Sequence, residues 1–484
     1  MDLNIQIFEF ELKMKFKFKL MNQTEQIETQ ITDTGCLTPE QFQALLAVKR
    51  GKNLFLTGPA GTGKSRTINE IYNWATERKK KIVITGMTGV ASCIIGGKTL
   101  HSWAGIGLAK EEPDELVDKI KFKGDWRTVD ILVVDEISML SSELLEKLNY
   151  IAQIIRKVNK PMGGIQIIFS GDFAQLAPVK GEFCFKSPVW NLLFPKRENI
   201  VYLNKILRQS DIKLSNLLNR IRLGEITNRD KKILSRRIIS NPDDVKTTIE
   251  GIDEYILPTS LYPYRKNVDK INGDKMKELI DNGADQLTYT ARDNPVTATA
   301  ELDKWSGAPK TLHLAQGAQV MVTRNIDIDK GLINGTRGVI TKLKPHSVTV
   351  ILDNGSEIDI TPYEYSIEVK NKKEKTRHQI PLMLAWATTI HKCQGSTIDK
   401  VVTDLSNVFC YAQSYVTLSR VRELQGLYLL GIDYKKIKCD PSVKAFYYDL
   451  EHKTEDEYNL KISTETKVNS EKNLLEPLNK RLID

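Results

Sequence analysis

Gly58-Pro59-Ala60-Gly61-Thr62-Gly63-Lys64-Ser65 is a complete GxxxxGK[ST] run, and its two flanks decide the fold. Before it, Asn53-Leu54-Phe55-Leu56-Thr57 has the length and apolarity of a buried strand. After it, Ile68, Ile71 and Ala75 recur at helical spacing. A strand that turns through glycines straight into a helix aims backbone N–H groups and the positive end of a helix dipole at one point. That is what a polyphosphate needs. Gly58, Gly61, Thr62 and Gly63 are the expected cradle, Lys64 is expected to reach the β- and γ-phosphates, and the Ser65 hydroxyl to hold Mg²⁺. A Gly-rich turn that fits the pattern by chance would not also have a strand on one side and a helix on the other.

The same alternation continues outward. Residues 81–85, 131–134, 165–169 and 199–203 read as further buried strands. A helix opening at the Ser141-Ser142 cap carries Leu145, Leu148, Ile151 and Ile155 on one stripe. Strands alternating with helices predict a mostly parallel sheet covered on both faces. Residues 254–258 and 384–388 read as strands of a second α/β unit. Between them the Val/Ile-rich pattern with turn signals at Asn334-Gly335 and Asn354-Gly355 predicts an inserted antiparallel module. The expected organisation is an extension over 1–36 and a first α/β domain over 37–200. A second follows over 201–282 and 381–450, interrupted by the β module at 283–380, with a charged, frayed tail over 451–484.

Composition narrows the function classes. A chain of 484 residues exceeds one compact core, so two or more domains are expected. The 70 Lys and Arg against 61 Asp and Glu leave a net charge of +9, a mild lean towards a polyanionic partner that decides nothing alone. Six cysteines without CxxC pairs argue against a disulfide framework or zinc ribbon and fit reduced thiols inside a cell. The nucleus, a mitochondrion, a bacterial cytoplasm and a virus-infected cell are equally compatible. No apolar run approaches membrane-spanning length. The first 22 residues alternate apolar with charged residues, which reads as a strand, not a signal peptide.

An apolar run ending in Asp135-Glu136 supplies the other half of a nucleotide-hydrolysing site. Carboxylates at a strand's C-terminal end lie beside the phosphate loop, Asp135 towards the metal and Glu136 as base for the attacking water. After a third strand, Gly171-Asp172-Phe173-Ala174-Gln175 offers Gln175 as a sensor of the γ-phosphate. Arginines reaching in from a neighbouring domain are expected as well, but with 70 basic residues spacing cannot choose them.

Several stretches together resemble superfamily-one helicases. They are the phosphate loop, Asp135-Glu136, residues 171–178 (GDFAQLAP), residues 203–209 (LNKILRQ), residues 389–397 (TIHKCQGST) and residues 415–420 (YVTLSR). Residues 85–92 (TGMTGVAS) with 96–105 (GGKTLHSWAG) narrow this to the Pif-type, RecD-related branch, and the likeness extends over roughly residues 37–432. Trp103 stands where that branch has Phe, Cys393 where Ser is common and Ser92 where Ala is common; none removes a catalytic group. Residues 104–128, where relatives carry a wedge-like insertion, are short and resemble nothing firmly.

The resemblance implies an α/β chain of two RecA-like P-loop NTPase domains with a small SH3-like β insertion in the second. It implies an ATP- and Mg²⁺-dependent DNA helicase moving 5′ to 3′ on single-stranded DNA and unwinding duplex, in replication, repair, recombination or telomere maintenance. It assigns Arg208 and Arg420 to the γ-phosphate, Gln41 to the adenine, and Gly395 to the nucleotide. Thr88, His101, Trp103, His391 and Lys392 fall to the nucleic acid. From the residues alone, Gln41 reads equally as a helix-start glutamine, Trp103 as core packing and His391 as a buried structural histidine. Single-stranded and forked duplex DNA are the implied partners, with single-strand-binding and replication proteins beside them, and monomeric action is the family default. A translocase without unwinding, a nucleotide-gated binding switch, and RNA as the track stay open as rivals.

Overall fold

The computed structural model describes residues 37–470 except 88–97, 122–124, 208–210, 246, 249–254, 325, 328–329, 353 and 368–374. Thr88, Arg208, the strand expected in the first 22 residues and residues 471–484 therefore lie outside the described residues.

The phosphate-loop domain is built on α1 (Pro39–Lys49), β1 (Leu54–Thr57), α2 (Lys64–Glu77), β2 (Ile82–Gly86), β3 (Lys98–Thr99), α3 (Leu100–Ala104), β4 (Ile131–Asp135), α4 (Ser142–Arg156), β5 (Gln166–Gly171) and β6 (Ile200–Tyr202). Its six strands run parallel in the order β3-β2-β4-β5-β1-β6. Alternate residues of the central strands face opposite sides. Leu54, Leu56, Ile131 and Val133 meet Ile68, Ile71 and Ala75 of α2, while Phe55, Leu132 and Val134 meet Leu145, Leu148 and Ile151 of α4. Burial on both faces explains why these strands are apolar throughout instead of alternating. Each fully buried Leu, Ile or Phe contributes about 1.5–3 kcal/mol. Ser141 caps α4 by accepting from the Leu144 amide, as its sequence predicts.

The second domain begins with α5 (Ile212–Arg222) and centres on β7 (Thr259–Tyr262), β8 (Ala387–Thr389), β9 (Val401–Leu405) and β10 (Leu427–Ile432). These strands are parallel in the order β8-β7-β9-β10, with α6 (Arg265–Asp281) after β7 and α7 (Gln413–Leu418) between β9 and β10. The strands expected at 254–258 and 384–388 are displaced. Tyr255–Ile256 pairs antiparallel with Thr247–Thr248, and Pro258, which has no N–H to donate, separates that pair from β7. Leu382–Leu384 joins the antiparallel module. The chain changes sheets between Ala385, whose N–H donates to Gln319 O, and Trp386, whose carbonyl accepts from the Ser260 N–H.

The module is a five-stranded antiparallel sheet of Gln319–Val322, Arg337–Lys344, Ser347–Leu352, Glu357–Ile360 and Leu382–Leu384. Asn354-Gly355 makes the expected tight turn, with Gly355 at φ 79°. Asn334-Gly335 instead lies in a longer connection that packs on the second domain. A Cβ on Gly335 would come within 2.8 Å of Thr397 O.

The C-terminal segment departs most from expectation. α8 (Pro441–His452) and α9 (Glu455–Ser470) place Val443, Tyr447, Leu450, Tyr458 and Ile462 in the first domain's core, beside Trp190 and Phe173. Residues 455–470, expected as part of a frayed tail, form a packed helix. Two apolar side chains one turn apart suffice to anchor it, and the surrounding charges hide that pattern in the sequence. Among the described residues no helix is long and apolar enough to cross a membrane.

Candidate functional site

The phosphate loop leaves β1 at Gly58, whose φ of 147° and close approach to Leu203 admit no side chain. A Cβ there would sit 2.2 Å from the Leu203 carbonyl oxygen. Gly63, at φ 87°, is the N-cap of α2. Lys64 folds over the loop, donating from Nζ to the carbonyls of Gly58 at 2.7 Å and Pro59 at 2.8 Å. Burial lowers the pKa of its ammonium, and the Asp172, Glu136 and Asp135 carboxylates oppose that shift. Ser65 stands exposed at the mouth.

A cavity of about 350 Å³ opens against this loop. Residues 60–66, Asp135, Glu136 and Gln175 line it from the first domain, with Leu207 beside them, and Gly395 and Arg420 line it from the second. Asp135 ends β4, and Glu136 follows in the left-handed region at φ 55°, a strained conformation that turns its carboxylate away from the strand's line. Burial pushes the Asp135 carboxyl up. Burial, then repulsion from Asp135, pushes Glu136 up to about 7. Gln394 crosses from the second domain and donates from Nε2 to Glu136 Oε2 at 3.0 Å. Arg420 is buried, and its guanidinium donates to the carbonyls of Val416, Cys393 and Ser396 and to Ser419 Oγ, at 2.8–3.2 Å. Burial lowers its pKa while attraction to Glu136 opposes the shift. Gln175 Oε1 and Gln394 Oε1 are buried without hydrogen-bond partners, which marks both as acceptors available to a ligand's donors.

This donor set fits a nucleoside triphosphate with one magnesium ion. Among the described residues no cluster of three His, Cys, Asp or Glu could cage a metal. One hydroxyl (Ser65) and one carboxylate (Asp135) are what Mg²⁺ takes when phosphates and waters complete its shell.

Gln41 is fully buried and occupied at both ends of its amide. Its Oε1 accepts from Thr38 N at 3.0 Å in a capping box, and Nε2 donates to Thr62 O at 3.3 Å and Gly63 O at 3.5 Å. The structure thus makes it a brace between α1 and the phosphate loop, and it does not line the cavity.

Below the loop runs a buried polar cluster that no sequence motif announces. Asp172 pairs with Arg222 of α5 through two bonds of 2.9 and 2.8 Å. Burial raises the Asp172 pKa, but Arg222's charge and hydrogen bonds outweigh it and hold the carboxyl below its usual range. Tyr447 of α8 donates to Asp172 at 2.9 Å, accepts from the Phe173 amide at 3.0 Å and lies 2.8 Å from Thr57 Oγ1, with Arg222 4.1 Å over its ring. Tyr415 of α7 accepts from the Ala60 amide at 2.9 Å. Both tyrosines therefore hold the phosphate loop's root from outside the first domain.

The expected nucleic-acid residues scatter. Trp103 on α3 is 6% exposed and packs 4.7 Å from Trp126, so it is a core residue and not a free stacking face; its neighbours Leu100, Ala104 and Ile106 are apolar and enclose it. His101 is half-buried, and burial lowers its pKa. His391 is half-buried with its pKa lowered by burial, and Lys392 is exposed just beyond β8. The same loop continues to Gln394 and Gly395 in the cavity, joining the two sites within a few residues.

A sequence model of PIF1-like helicases matches residues 36–232, and one of the 2B domain of the DNA helicase Pif1 matches 302–343, overlapping the antiparallel module. The ATP-dependent DNA helicase PIF1 of Homo sapiens is 36% identical over 430 residues, which cover 86% of this chain and 64% of that protein. The chain thus spans less than two thirds of that relative's length. The crystal structure of Pif1 helicase from Candida albicans superposes with a TM-score of 0.71 at 33% identity, over 86% of this chain and 100% of that one. Pif1 helicase from Bacteroides, in complex with ADP-AlF3 and ssDNA, superposes at 0.59 and 28% identity over 86% of this chain and 98% of that one. With shared identity over most of its length, a parallel-sheet core and a complete phosphate-loop cavity, the chain belongs to the PIF1-like helicase family.

Proposed function

We propose that the chain is an ATP-dependent DNA helicase that moves 5′ to 3′ along single-stranded DNA and unwinds duplex ahead of it. One observation carries the reading. Lys64, Asp135 and Glu136 from one α/β domain and Gln394, Gly395 and Arg420 from the other converge on a single cavity. A site assembled from two domains couples turnover to their relative motion.

In this mechanism the loop amides and Lys64 bind the β- and γ-phosphates of ATP, with Gly58, Gly61, Thr62 and Gly63 giving the backbone its wrap. Magnesium, held by Ser65 and Asp135, supplies charge neutralisation when bound. Glu136 takes a proton from the attacking water, a role suited to a carboxyl titrating near 7. Gln175 senses the γ-phosphate through its unpartnered oxygen. Arg420, with Arg208 beside it, stabilises charge on the transferring group from the second domain. Gln41 shapes the loop from behind, and an adenine contact requires its release from Thr38.

His391 and Lys392 grip the strand on the second domain, with Thr88 and His101 on the first. The antiparallel module acts as an SH3-like flap over the strand. We assign the domains as 37–200 and 201–450 with the module at 283–380 inserted, and with α8 and α9 docked on the first domain. Unwinding must supply on the order of 1.4 kcal/mol per base-pair step.

The test is steady-state ATPase with and without a single-stranded DNA oligonucleotide, alongside separation of a forked duplex with a 5′ tail. Strong stimulation by DNA, strand separation by the wild type and loss of both in Lys64→Ala are expected. Turnover without strand separation would leave a translocase, stimulation by RNA alone would change the track, and no turnover would leave a binding switch.

A further inference from the structure

Outside the nucleotide cavity, the second domain carries an unexplained pair of aromatic rings. Tyr264 and Phe409 stack with centroids 5.0 Å apart and planes 18° from parallel. Yet they are 53% and 56% exposed. The inner ring faces meet each other while much of each residue stays open to water.

The sheet register places them there. Tyr262 of β7 pairs with Thr389 of β8, and Leu261 of β7 with Thr403 of β9, all parallel. The three chains therefore leave the sheet at one carboxyl edge. Tyr264 follows β7, His391 and Lys392 follow β8, and Phe409 follows β9. Both rings stand on fixed backbone. Tyr264 is the N-cap of α6, and the Phe409 amide donates to the buried Gln413 Oε1 at 3.0 Å. Exposed Arg265, Lys266 and Lys392 flank the pair; Arg265 also lies 3.5 Å from the exposed Asp269. The nearby Asp404 carboxylate is turned to Ser406 and Asn407.

We propose that Tyr264 and Phe409 form a base-stacking platform for single-stranded DNA, extending the His391 and Lys392 contact along the same edge. The inference rests on the reading of the chain as a DNA motor. Two rings expose far less than the roughly 800 Å² per partner that a stable protein interface buries. A nucleobase, by contrast, needs only one ring face, with cations beside it for the phosphates. The rings' mutual stacking holds that face ready before the strand arrives.

The experiment measures affinity of the full chain for a labelled oligothymidylate and for an abasic oligonucleotide of the same length. Tyr264→Ala and Phe409→Ala should each weaken thymidylate binding by roughly 5- to 150-fold, the range of base–aromatic stacking. They should change abasic binding by less than about twofold, since the abasic strand keeps only the phosphate contacts. Tyr264→Phe, which keeps the ring, should bind as wild type, and DNA-free ATPase should be unchanged in all three, which establishes folding. Equal losses on both strands, or no loss on thymidylate, would overturn the platform while leaving the motor intact. Wild type that binds neither strand would bring down both.

Discussion

The nucleotide cavity and the carboxyl edge of the second sheet do different work with the same kinds of residue. In the cavity, Lys64, Asp135, Glu136 and Arg420 are enclosed, their charges balanced by one another and by hydrogen bonds. At the edge, His391 is half-buried and Lys392, Tyr264 and Phe409 are exposed. A buried charge without a partner costs several kcal/mol, so the cavity tolerates few arrangements. An exposed contact tolerates many, because water supplies whatever the protein does not. The cavity should therefore answer single substitutions sharply, and the edge gradually.

The largest effect separates the two regions most cleanly. Arg420→Ala should lower DNA-stimulated kcat by roughly 10³- to 10⁵-fold, as for arginines that meet a transferring phosphoryl group from another domain. Affinity for single-stranded DNA without nucleotide should stay within about twofold, checked by fluorescence anisotropy. Parallel loss of both would mean that the buried guanidinium, with its four hydrogen bonds, mainly holds the second domain together.

That contrast also explains what the sequence makes legible. The phosphate loop, Asp135-Glu136 and the strand ends beside them are contiguous, and physics fixes their spacing, so the first sheet and most of the cavity can be read directly. Residues 389–397 hold Gln394 in plain view, but only the fold shows that it reaches Glu136. Tyr447 gives no local signal: it meets Thr57 across almost the whole chain, from a helix whose charged surface resembles a tail. Trp103 and Gln41 show the converse. The resemblance points them at ligands, while the structure uses one as core and the other as a cap and brace. Where a residue type suits both roles, sequence alone does not choose between them.

A smaller effect probes the cavity's foundations. Tyr447→Phe removes a hydroxyl bonded to Asp172, the Phe173 amide and Thr57 while keeping the ring under Arg222. Leaving those buried groups short of a partner should destabilise the chain by about 1–3 kcal/mol, read from urea unfolding. KM for ATP should rise with it, because Thr57 and Phe173 flank the strand ends that carry the loop. An unchanged unfolding midpoint would show that α8 is bystander packing and not part of the site.

The smallest effect tests the bridge between the regions. Gln394 shares its loop with His391 and Lys392 and donates to Glu136, a bond that lowers the Glu136 pKa against burial and Asp135. As the general base, Glu136 must be deprotonated, so kcat/KM should fall as pH drops through about 7. Gln394→Ala removes the stabilising donor, and the acidic limb should move to higher pH, by less than about one unit for one neutral hydrogen bond. Ionisation of ATP itself is common to both proteins and cancels in the comparison. The direction is the informative part. A limb that moves down would mean that Gln394 holds Glu136 in its protonated form, and that the loop carrying the DNA contacts keeps the base switched off until it moves.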